Sequence, residues 1–162
     1  MEHNILYTPW RMKYILSNKE TGCIFCFDAI DDEKHLVVYR SKHCFVIINL
    51  YPYNNGHLMV VPNRHISRLN DLDTREIHDI FTTTQLTEKV LQTAYSPEGF
   101  NIGMNLGKVA GAGVADHLHV HIVPRWGGDT NFMTTCSSSR IIPEDPEDTY
   151  KKLKDLFANV CQ

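Results

Sequence analysis

Three histidines, His117, His119 and His121, alternate with branched apolar residues in the C-terminal half of the chain. Side chains of a β-strand point to opposite faces in turn, so the three imidazoles would line one face, about 6.5 Å apart along the strand. Such a row could hold a zinc ion that activates water. It could also serve nucleophilic catalysis, in which one imidazole attacks phosphorus and its neighbours position it. A half-buried strand with incidental histidines is less favoured, because three titratable rings on one surface are costly to keep for packing alone.

The segment before these histidines, residues 105–116, is rich in glycine and alanine. Gly107, Gly111 and Gly113 leave the backbone thinly covered, so its N–H groups can approach an anion closely. The spacing matches neither a Walker loop nor a dinucleotide-binding fingerprint, and a glycine-rich turn between strands is an alternative interpretation. Beside three histidines, the loop is better explained as a phosphate-binding loop, because a metal centre would leave it without a role.

Near the N-terminus, Cys23 and Cys26 form a Cys-x-x-Cys motif. This motif is either a redox pair or half of a tetrahedral zinc site. A redox pair would be expected at the start of a helix. Here the motif is followed by a short acidic segment, residues 28–33, which leads into a predicted strand. The context therefore favours zinc.

Length and composition suit a single domain over residues 1–162, since 43% hydrophobic residues are enough to bury a core. The net charge of −3 argues against a dedicated nucleic-acid surface. No apolar run is long enough to span a membrane, and the first residues lack the pattern of a signal peptide. Five cysteines without a framework of spaced pairs fit a reducing compartment. We therefore expect a cytoplasmic protein without a membrane partner.

Apolar patterning predicts an α+β domain with a largely antiparallel sheet. A capping box at residues 73–76 predicts a long helix that ends near Tyr95, and a second helix is expected over residues 146–160. The sequence Asn54-Asn55-Gly56 predicts a hairpin turn between the second and third strands. The predicted strands cover residues 36–40, 44–50, 58–62, 100–105 and 118–124. The apolar residues of the long helix, expected in the core, are Ile77, Ile80, Phe81, Val90, Leu91 and Ala94.

Residues 117–123 match the His-φ-His-φ-His-φ-φ pattern (φ hydrophobic) of the histidine triad superfamily of nucleotide hydrolases and transferases. Residues 45–65 resemble that family's other sequence block, and the resemblance spans about residues 23–126. The Trp10-Arg11 pair and residues 124–129 are most similar to the branch of diadenosine tetraphosphate phosphorylases and bacterial histidine triad hydrolases. The resemblance implies a HIT-like fold, with a mainly antiparallel sheet of about five strands, one long helix and one C-terminal helix.

The resemblance also implies a zinc site, because several members bind the metal through Cys-x-x-Cys and two histidines. The corresponding ligands here are Cys23, Cys26, His65 and His117. Four protein ligands close the tetrahedron and leave no position for water, so this zinc would be structural. It would take one histidine of the row and leave two for chemistry.

By the same resemblance, His119 is the nucleophile, which attacks an α-phosphorus atom through Nε2 and forms a nucleotidyl-histidine. Its ring must be neutral, and a hydrogen bond from Nδ1–H to a backbone carbonyl would fix that tautomer. His121 would lie near the bridging oxygen and assist proton transfer to the leaving phosphate.

Substrate-binding residues follow from the resemblance too. Asn49 matches the position that grips the ribose hydroxyls, and His57 matches a histidine that borders the triad; a buried histidine with only a packing role is the alternative for His57. Asn105 and the loop containing Gly111 and Gly113 would bind phosphate. Related enzymes often carry Gln or Ser at the position of Gly113, which leaves the contact to the leaving group open.

The resemblance implies adenosine phosphates as substrates and a homodimer in which the long helix and a strand pair across a two-fold axis. Trp10 and Trp126 would stack on a base or fill that interface, or simply pack. The acceptor is either water, in a hydrolase, or orthophosphate, in a diadenosine tetraphosphate phosphorylase. Two other hypotheses stay open: a metallohydrolase with zinc on all three triad histidines, and a non-catalytic nucleotide-binding module.

Overall fold

A computed structural model describes residues 22–129 and 142–160. The described chain is an α+β structure with one antiparallel sheet of five strands, as the sequence predicted. The strands lie in the order β1-β2-β3-β5-β4. Neither of the described helices is long and apolar enough to cross a membrane. The elements in chain order are β1 (Val37–Arg40), β2 (Cys44–Ile48), β3 (Leu58–Pro62), α1 (Thr74–Tyr95), β4 (Gly99–Gly103), β5 (Val120–Arg125) and α2 (Pro146–Val160).

The sheet has two differently covered faces, because successive side chains of each strand alternate. The two helices pack on one face over a core that includes Val46, Leu58 and Ile122. On the other face, Phe25 from the N-terminal segment packs with Met59 and neighbouring apolar side chains of β1 to β3. Met59 pairs with His121 in the register of β3 and β5. The histidine row therefore lies on the face that the helices leave open.

Helix α1 begins at the predicted capping box. The side chain of Asp73 accepts from the backbone N–H groups of Arg75 and Glu76, and the Glu76 carboxylate accepts from the Asp73 N–H. Ile80, Val90 and Leu91 are buried as predicted, but Ile77 and Phe81 are 43% and 61% exposed, which contradicts their assignment to the core. They lie one turn apart on the outward face, and helical periodicity alone does not show which apolar face meets the sheet.

Four of the five strands differ from the predicted bounds by one or two residues at one or both ends, and only β3 matches them. Strand β5 begins at Val120, two residues late, because the register places Pro62 opposite Leu118 and proline has no N–H for the ladder. The Leu118 N–H instead donates to the carbonyl of Ile66 at 2.6 Å. The predicted hairpin turn lies within a longer loop over residues 49–57, in which Gly56 has a φ of +71°.

Candidate functional site

His119 presents one ring nitrogen as a hydrogen-bond donor and leaves the other as a base. Its Nδ1 lies 2.9 Å from the carbonyl oxygen of His117. A carbonyl can only accept, so Nδ1 carries the proton and the neutral ring has its lone pair on Nε2. The residue is 5% exposed, and the ring of Phe25 packs 5.4 Å from it. The ring is therefore held with its lone pair on Nε2, and the acceptor is a backbone carbonyl, as predicted.

The neighbouring rings of His57 and His121 have tautomers fixed by a chain of hydrogen bonds. The backbone N–H of Tyr53 donates to Nδ1 of His57 at 3.0 Å, so the proton of neutral His57 is on Nε2. That Nε2–H donates to Nδ1 of His121 at 3.0 Å. Neutral His121 must then carry its own proton on Nε2. The ring centroids of His119 and His121 are 4.7 Å apart, so a base and an N–H donor lie side by side.

Burial keeps both of these rings uncharged at neutral pH. Desolvation, with a smaller contribution from the neighbouring His119, lowers the pKa of His121 to about 4. Desolvation, followed by the charges of His121 and His119, lowers the pKa of His57 to about 3. Because neutral imidazoles can each donate and accept, the tautomer chain is stable over the physiological range.

The predicted metal ligands Cys23, Cys26, His65 and His117 come together, although they are far apart in sequence. One ligand atom from each lies within 4.8 Å of the others. The Sγ atoms of Cys23 and Cys26 lie 3.3 and 3.6 Å from Nδ1 of His117, and Sγ of Cys26 lies 3.3 Å from Nδ1 of His65. A tetrahedral ion with thiolate and imidazole ligands would separate such atoms by roughly 3.3–3.8 Å. These residues could therefore hold a metal ion.

The second nitrogen of His117 supports that role. Its Nε2–H donates to the carbonyl of Pro62 at 2.9 Å, so Nδ1 faces the cysteines with its lone pair. Desolvation lowers the pKa of His117, and burial followed by the hydrogen bond to Cys23 raises that of Cys26. Both cysteines are free thiols. The cluster thus lacks the disulfide of an oxidised redox pair.

Of the predicted substrate-binding residues, Asn49 contacts His57, whereas Asn105 and Gly111 lie in the loop before β5. The amide nitrogen of Asn49 lies 3.3 Å from Nδ1 of His57, and its Oδ1 accepts from the Tyr51 N–H at 2.8 Å. Asn105 is half-buried, just before a 3₁₀ turn over Lys108–Ala110. Gly111 ends that turn with a φ of +89°, and its N–H donates to the Lys108 carbonyl at 3.0 Å. Its N–H is thus used inside the turn in this conformation.

The structure shows space for a side chain at Gly113. A Cβ atom at this position would meet nothing within 4 Å. Packing therefore does not exclude the Gln or Ser of related enzymes.

Sequence reasoning missed the groups that orient the site. The Tyr53 N–H and the Pro62 carbonyl are backbone atoms, which residue types do not reveal. It also missed Arg64, whose Nε and Nη2 donate to Glu76 at 2.9 and 2.7 Å and tie the loop bearing His65 to α1. Trp126 donates from Nε1 to the Tyr95 carbonyl at 3.3 Å, which favours a packing role. Trp10 lies outside the described residues.

Comparison with known proteins places these observations in a family. The family model described as "HIT domain" matches residues 31–128. An "AP-4-A phosphorylase" from Mycobacterium tuberculosis is 44% identical over 163 aligned residues, which cover 94% of this chain and 84% of that protein. An asymmetrical bis(5'-nucleosyl)-tetraphosphatase from Schizosaccharomyces pombe is 40% identical over 93 residues, covering 57% of this chain and 50% of that protein. The crystal structure of a Zn-bound histidine triad family protein from Mycobacterium smegmatis superposes with a TM-score of 0.67 at 27% identity, covering 86% and 95% of the two chains.

Proposed function

Because the chain belongs to the HIT domain family, we propose that it is a nucleotidyl hydrolase or transferase that cleaves dinucleoside polyphosphates at an α-phosphate. The reaction proceeds through a covalent nucleotidyl group on His119. One observation carries this proposal: the hydrogen bond from Nδ1–H of His119 to the His117 carbonyl, which leaves Nε2 free to attack.

In the first step, Nε2 of His119 forms a bond to the α-phosphorus, and the bond from phosphorus to the bridging oxygen breaks. The leaving nucleotide takes the electron pair. His121 donates from Nε2–H to that oxygen, which stabilises the developing charge; its Nδ1 is held by His57 throughout. Positioning and charge stabilisation supply most of the rate, as in phosphoryl transfer generally.

The transferred nucleotide is held by the residues around this pair. Asn49 binds the ribose hydroxyls through its amide, which His57 and the Tyr51 N–H already orient. Asn105 and the loop with Gly111 and Gly113 bind the phosphate through groups other than the Gly111 N–H, which donates to the Lys108 carbonyl. The exposed position of this loop supports the assignment, because the α-phosphate must be reached from solvent.

Zinc is the metal that the donor set of Cys23, Cys26, His65 and His117 fits best, since two thiolates and two imidazoles are common structural zinc ligands. When bound, the ion supplies a cross-link between the N-terminal segment and the histidine row. All four positions are protein ligands, so no water is activated. The crystal structure of the Zn-bound relative from M. smegmatis supports the choice of metal.

In the second step, an acceptor oxygen attacks the phosphorus of the nucleotidyl group, and the bond to Nε2 breaks with its electrons returning to the ring. Where water is the acceptor, the proton that it loses passes to solvent. Water would give a hydrolase and orthophosphate a phosphorylase. The relative named as an AP-4-A phosphorylase, which aligns over 94% of this chain, favours the phosphorylase as the specific candidate.

Product analysis with diadenosine tetraphosphate tests both the mechanism and the acceptor. Turnover quenched at alkaline pH should yield protein heavier by one nucleotidyl group, located on His119 by peptide mass spectrometry. ADP and ATP formed only with added phosphate identify a phosphorylase, and AMP with ATP formed without it identifies a hydrolase. Two molecules of ADP formed without phosphate, or no adduct on His119, would contradict the attack at the α-phosphorus.

The same experiment separates the other hypotheses. A metallohydrolase with zinc on all three triad histidines is disfavoured because Nδ1 of His121 accepts from His57, which puts the proton of neutral His121 on Nε2. His117 also points away from such a site, since its Nε2–H donates to the Pro62 carbonyl and its Nδ1 faces the cysteines. A non-catalytic nucleotide-binding module would bind adenosine phosphates without turnover at any protein concentration.

The homodimer suggested by the resemblance is part of this proposal. Ile77 and Phe81 of α1 and Ile102 of the edge strand β4 are exposed apolar side chains that a second copy could cover. Sedimentation equilibrium should give a dimer, and Phe81→Glu should give a monomer; a monomeric wild-type protein would refute it. The cytoplasmic setting stays a prediction from the sequence.

A further inference from the structure

A groove of about 550 Å³ lies beside the catalytic histidines. Side chains alternate along β5, so Val123 and Arg125 follow His121 on one face of that strand. The ring centroid of Tyr53 lies 5.5 Å from that of His121, which joins the groove to the histidine row. The groove is lined by Pro52, Tyr53, Asn101, Val123 and Arg125.

Arg125 is fixed at the end of this groove. Its Nε and Nη2 donate to the Asp129 carboxylate at 2.6 and 3.0 Å, and its Nη1 donates to Oδ1 of Asn101 at 2.6 Å. Asp129 in turn accepts from the amide of Asn54 at 2.7 Å. A guanidinium has five N–H donors, and these bonds use three of them. A cation that is 42% exposed, held rigidly and with donors remaining is suited to phosphate oxygens.

The position of the groove indicates which part of a substrate it would meet. From His119 to Arg125 the chain advances about 20 Å, which is the scale of a nucleoside polyphosphate rather than of one phosphate group. Asn49, assigned to the ribose of the transferred nucleotide, follows β2, whereas the groove extends over β5 and β4. Strand β3 lies between them, so the two regions suit the two halves of a dinucleoside polyphosphate.

We propose that this groove is the subsite for the leaving nucleotide, in which Arg125 contacts the leaving phosphates and the ring of Tyr53 packs against the distal nucleoside. The inference rests on the proposed attack of His119 at the α-phosphorus. Tyr53 is 47% exposed at the groove, and an aromatic face stacks on any base. The subsite therefore selects for leaving groups that carry several phosphates, with little preference for the distal base.

Two substrates with the same adenylyl group and different leaving groups test the subsite. Diadenosine tetraphosphate leaves a nucleotide, whereas adenosine 5'-phosphoramidate leaves ammonia and cannot reach the groove. We expect Arg125→Ala to lower kcat/KM for the tetraphosphate by about 10- to 100-fold, mostly through KM, because a charge-assisted hydrogen bond is lost. The phosphoramidate should be turned over nearly as by wild type, and Arg125→Lys should restore part of the loss.

Three control variants separate contact with substrate from support of the fold. Asp129→Asn breaks the ion pair but keeps the cation, so it should weaken tetraphosphate turnover less than Arg125→Ala. Arg68→Ala removes an exposed arginine elsewhere and should change neither substrate. If Arg125→Ala fails to fold, Asn101→Asp places a negative charge in the groove at an exposed position and should reproduce the selective loss.

The outcomes distinguish this inference from the proposed function. An equal loss for both substrates, or no loss for either, would overturn the subsite while leaving the mechanism at His119 standing. Wild-type protein that turns over neither substrate and forms no adduct would overturn the proposed function itself.

Discussion

His57 and His121 share one hydrogen bond, with Nε2 of His57 3.0 Å from Nδ1 of His121. The bond has a direction, because the Tyr53 N–H occupies Nδ1 of His57 and leaves only Nε2–H to donate. Both rings must be neutral for this arrangement, and burial makes them so. The backbone N–H of Tyr53 therefore sets, through His57, the orientation of His121, the proposed donor to the leaving group.

The two buried histidines should make the folded state sensitive to acid. Their pKa values, about 3 for His57 and about 4 for His121, lie below the ordinary value of 6.5 in the unfolded chain. As the pH falls below about 6.5, the unfolded state binds protons that the folded state does not. Stability should be greatest above this pH and fall towards about pH 4, by up to about 1.4 kcal/mol per pH unit for each histidine.

Urea unfolding at several pH values between about 7 and about 5 measures this slope. Metal binding is also pH-dependent, because thiolate and imidazole ligands compete with protons. The informative quantity is therefore the difference between wild type and His57→Phe. The variant should show the shallower slope. If the free energy of unfolding changed equally with pH in both proteins, His57 would not be a buried, uncharged histidine in the folded state.

The same substitution should slow catalysis. His57→Phe preserves the bulk of the side chain but removes the N–H that holds His121, so we expect kcat to fall by about 10- to 100-fold with little change in KM. His78→Ala, on the exposed face of α1, is the matched loss of a histidine and should leave kcat unchanged. Steady-state kinetics with diadenosine tetraphosphate decide between an orienting role and a packing role for His57.

The metal cluster should contribute stability rather than turnover. Cys23→Ser with Cys26→Ser removes both thiolates, so the protein should lose its bound metal and unfold at a lower temperature, because the cross-link to the N-terminal segment is gone. Metal analysis and thermal unfolding check this. Cys44→Ala removes a thiol that contacts Thr83 instead, and it should retain the metal. Full zinc content and activity in the double variant would favour the hypothesis of zinc on the three triad histidines.

The chemical residues were predictable because local patterns carry them. Cys23-x-x-Cys26 and the histidine row each indicate a chemistry by residue type and spacing, and alternation of apolar residues predicted the strands. The order of the strands in the sheet was not predicted, because it depends on pairing between segments that are distant in sequence. The groups that orient these side chains could not be predicted. The Tyr53 N–H and the Pro62 carbonyl are backbone atoms, and a sequence does not distinguish them from those of any other residue.

Two further gaps have tertiary causes. Ile77 and Phe81 have the spacing of core residues, and only the packing of α1 on the sheet shows that they face outward. The Arg125–Asp129 ion pair connects the end of β5 to the following turn, where no periodic pattern predicts a contact. Local sequence thus specified what the side chains can do, and packing specified which atoms meet.

The ion pair between Arg64 and Glu76 should stabilise the junction of α1 with the His65 loop. The carboxylate is nearly buried and accepts two hydrogen bonds from Arg64. Arg64→Met should therefore lower the free energy of unfolding, because it leaves a nearly buried carboxylate without these two hydrogen bonds. Arg64, through its hydrogen bond, holds the pKa of Glu76 below 4.5, so this contribution should be present at neutral pH and lost as the pH falls below that value.

Arg75→Met is the control for that measurement. Arg75 is 79% exposed and lies 3.5 Å from Asp73, so its loss should change the free energy of unfolding much less than the loss of Arg64. If Arg64→Met and Arg75→Met lowered the free energy of unfolding equally, burial of Glu76 would add nothing to the strength of its ion pair with Arg64.

Gly56, which precedes His57, should tolerate no side chain. Its φ of +71° is strained for other residues, and a Cβ atom would lie 3.0 Å from Cε2 of Tyr95 and 3.4 Å from Cδ2 of Leu91. We expect Gly56→Ala to lower the free energy of unfolding by about 2–4 kcal/mol through backbone strain and overpacking. Gly99→Ala is the matched control, because a Cβ there meets nothing within 4 Å, and it should be neutral or stabilising by up to about 1 kcal/mol. Urea midpoints at constant m-value measure both. A midpoint for Gly56→Ala equal to that of Gly99→Ala would mean that the loop before His57 relaxes freely, and the positioning of His57 would then need another source.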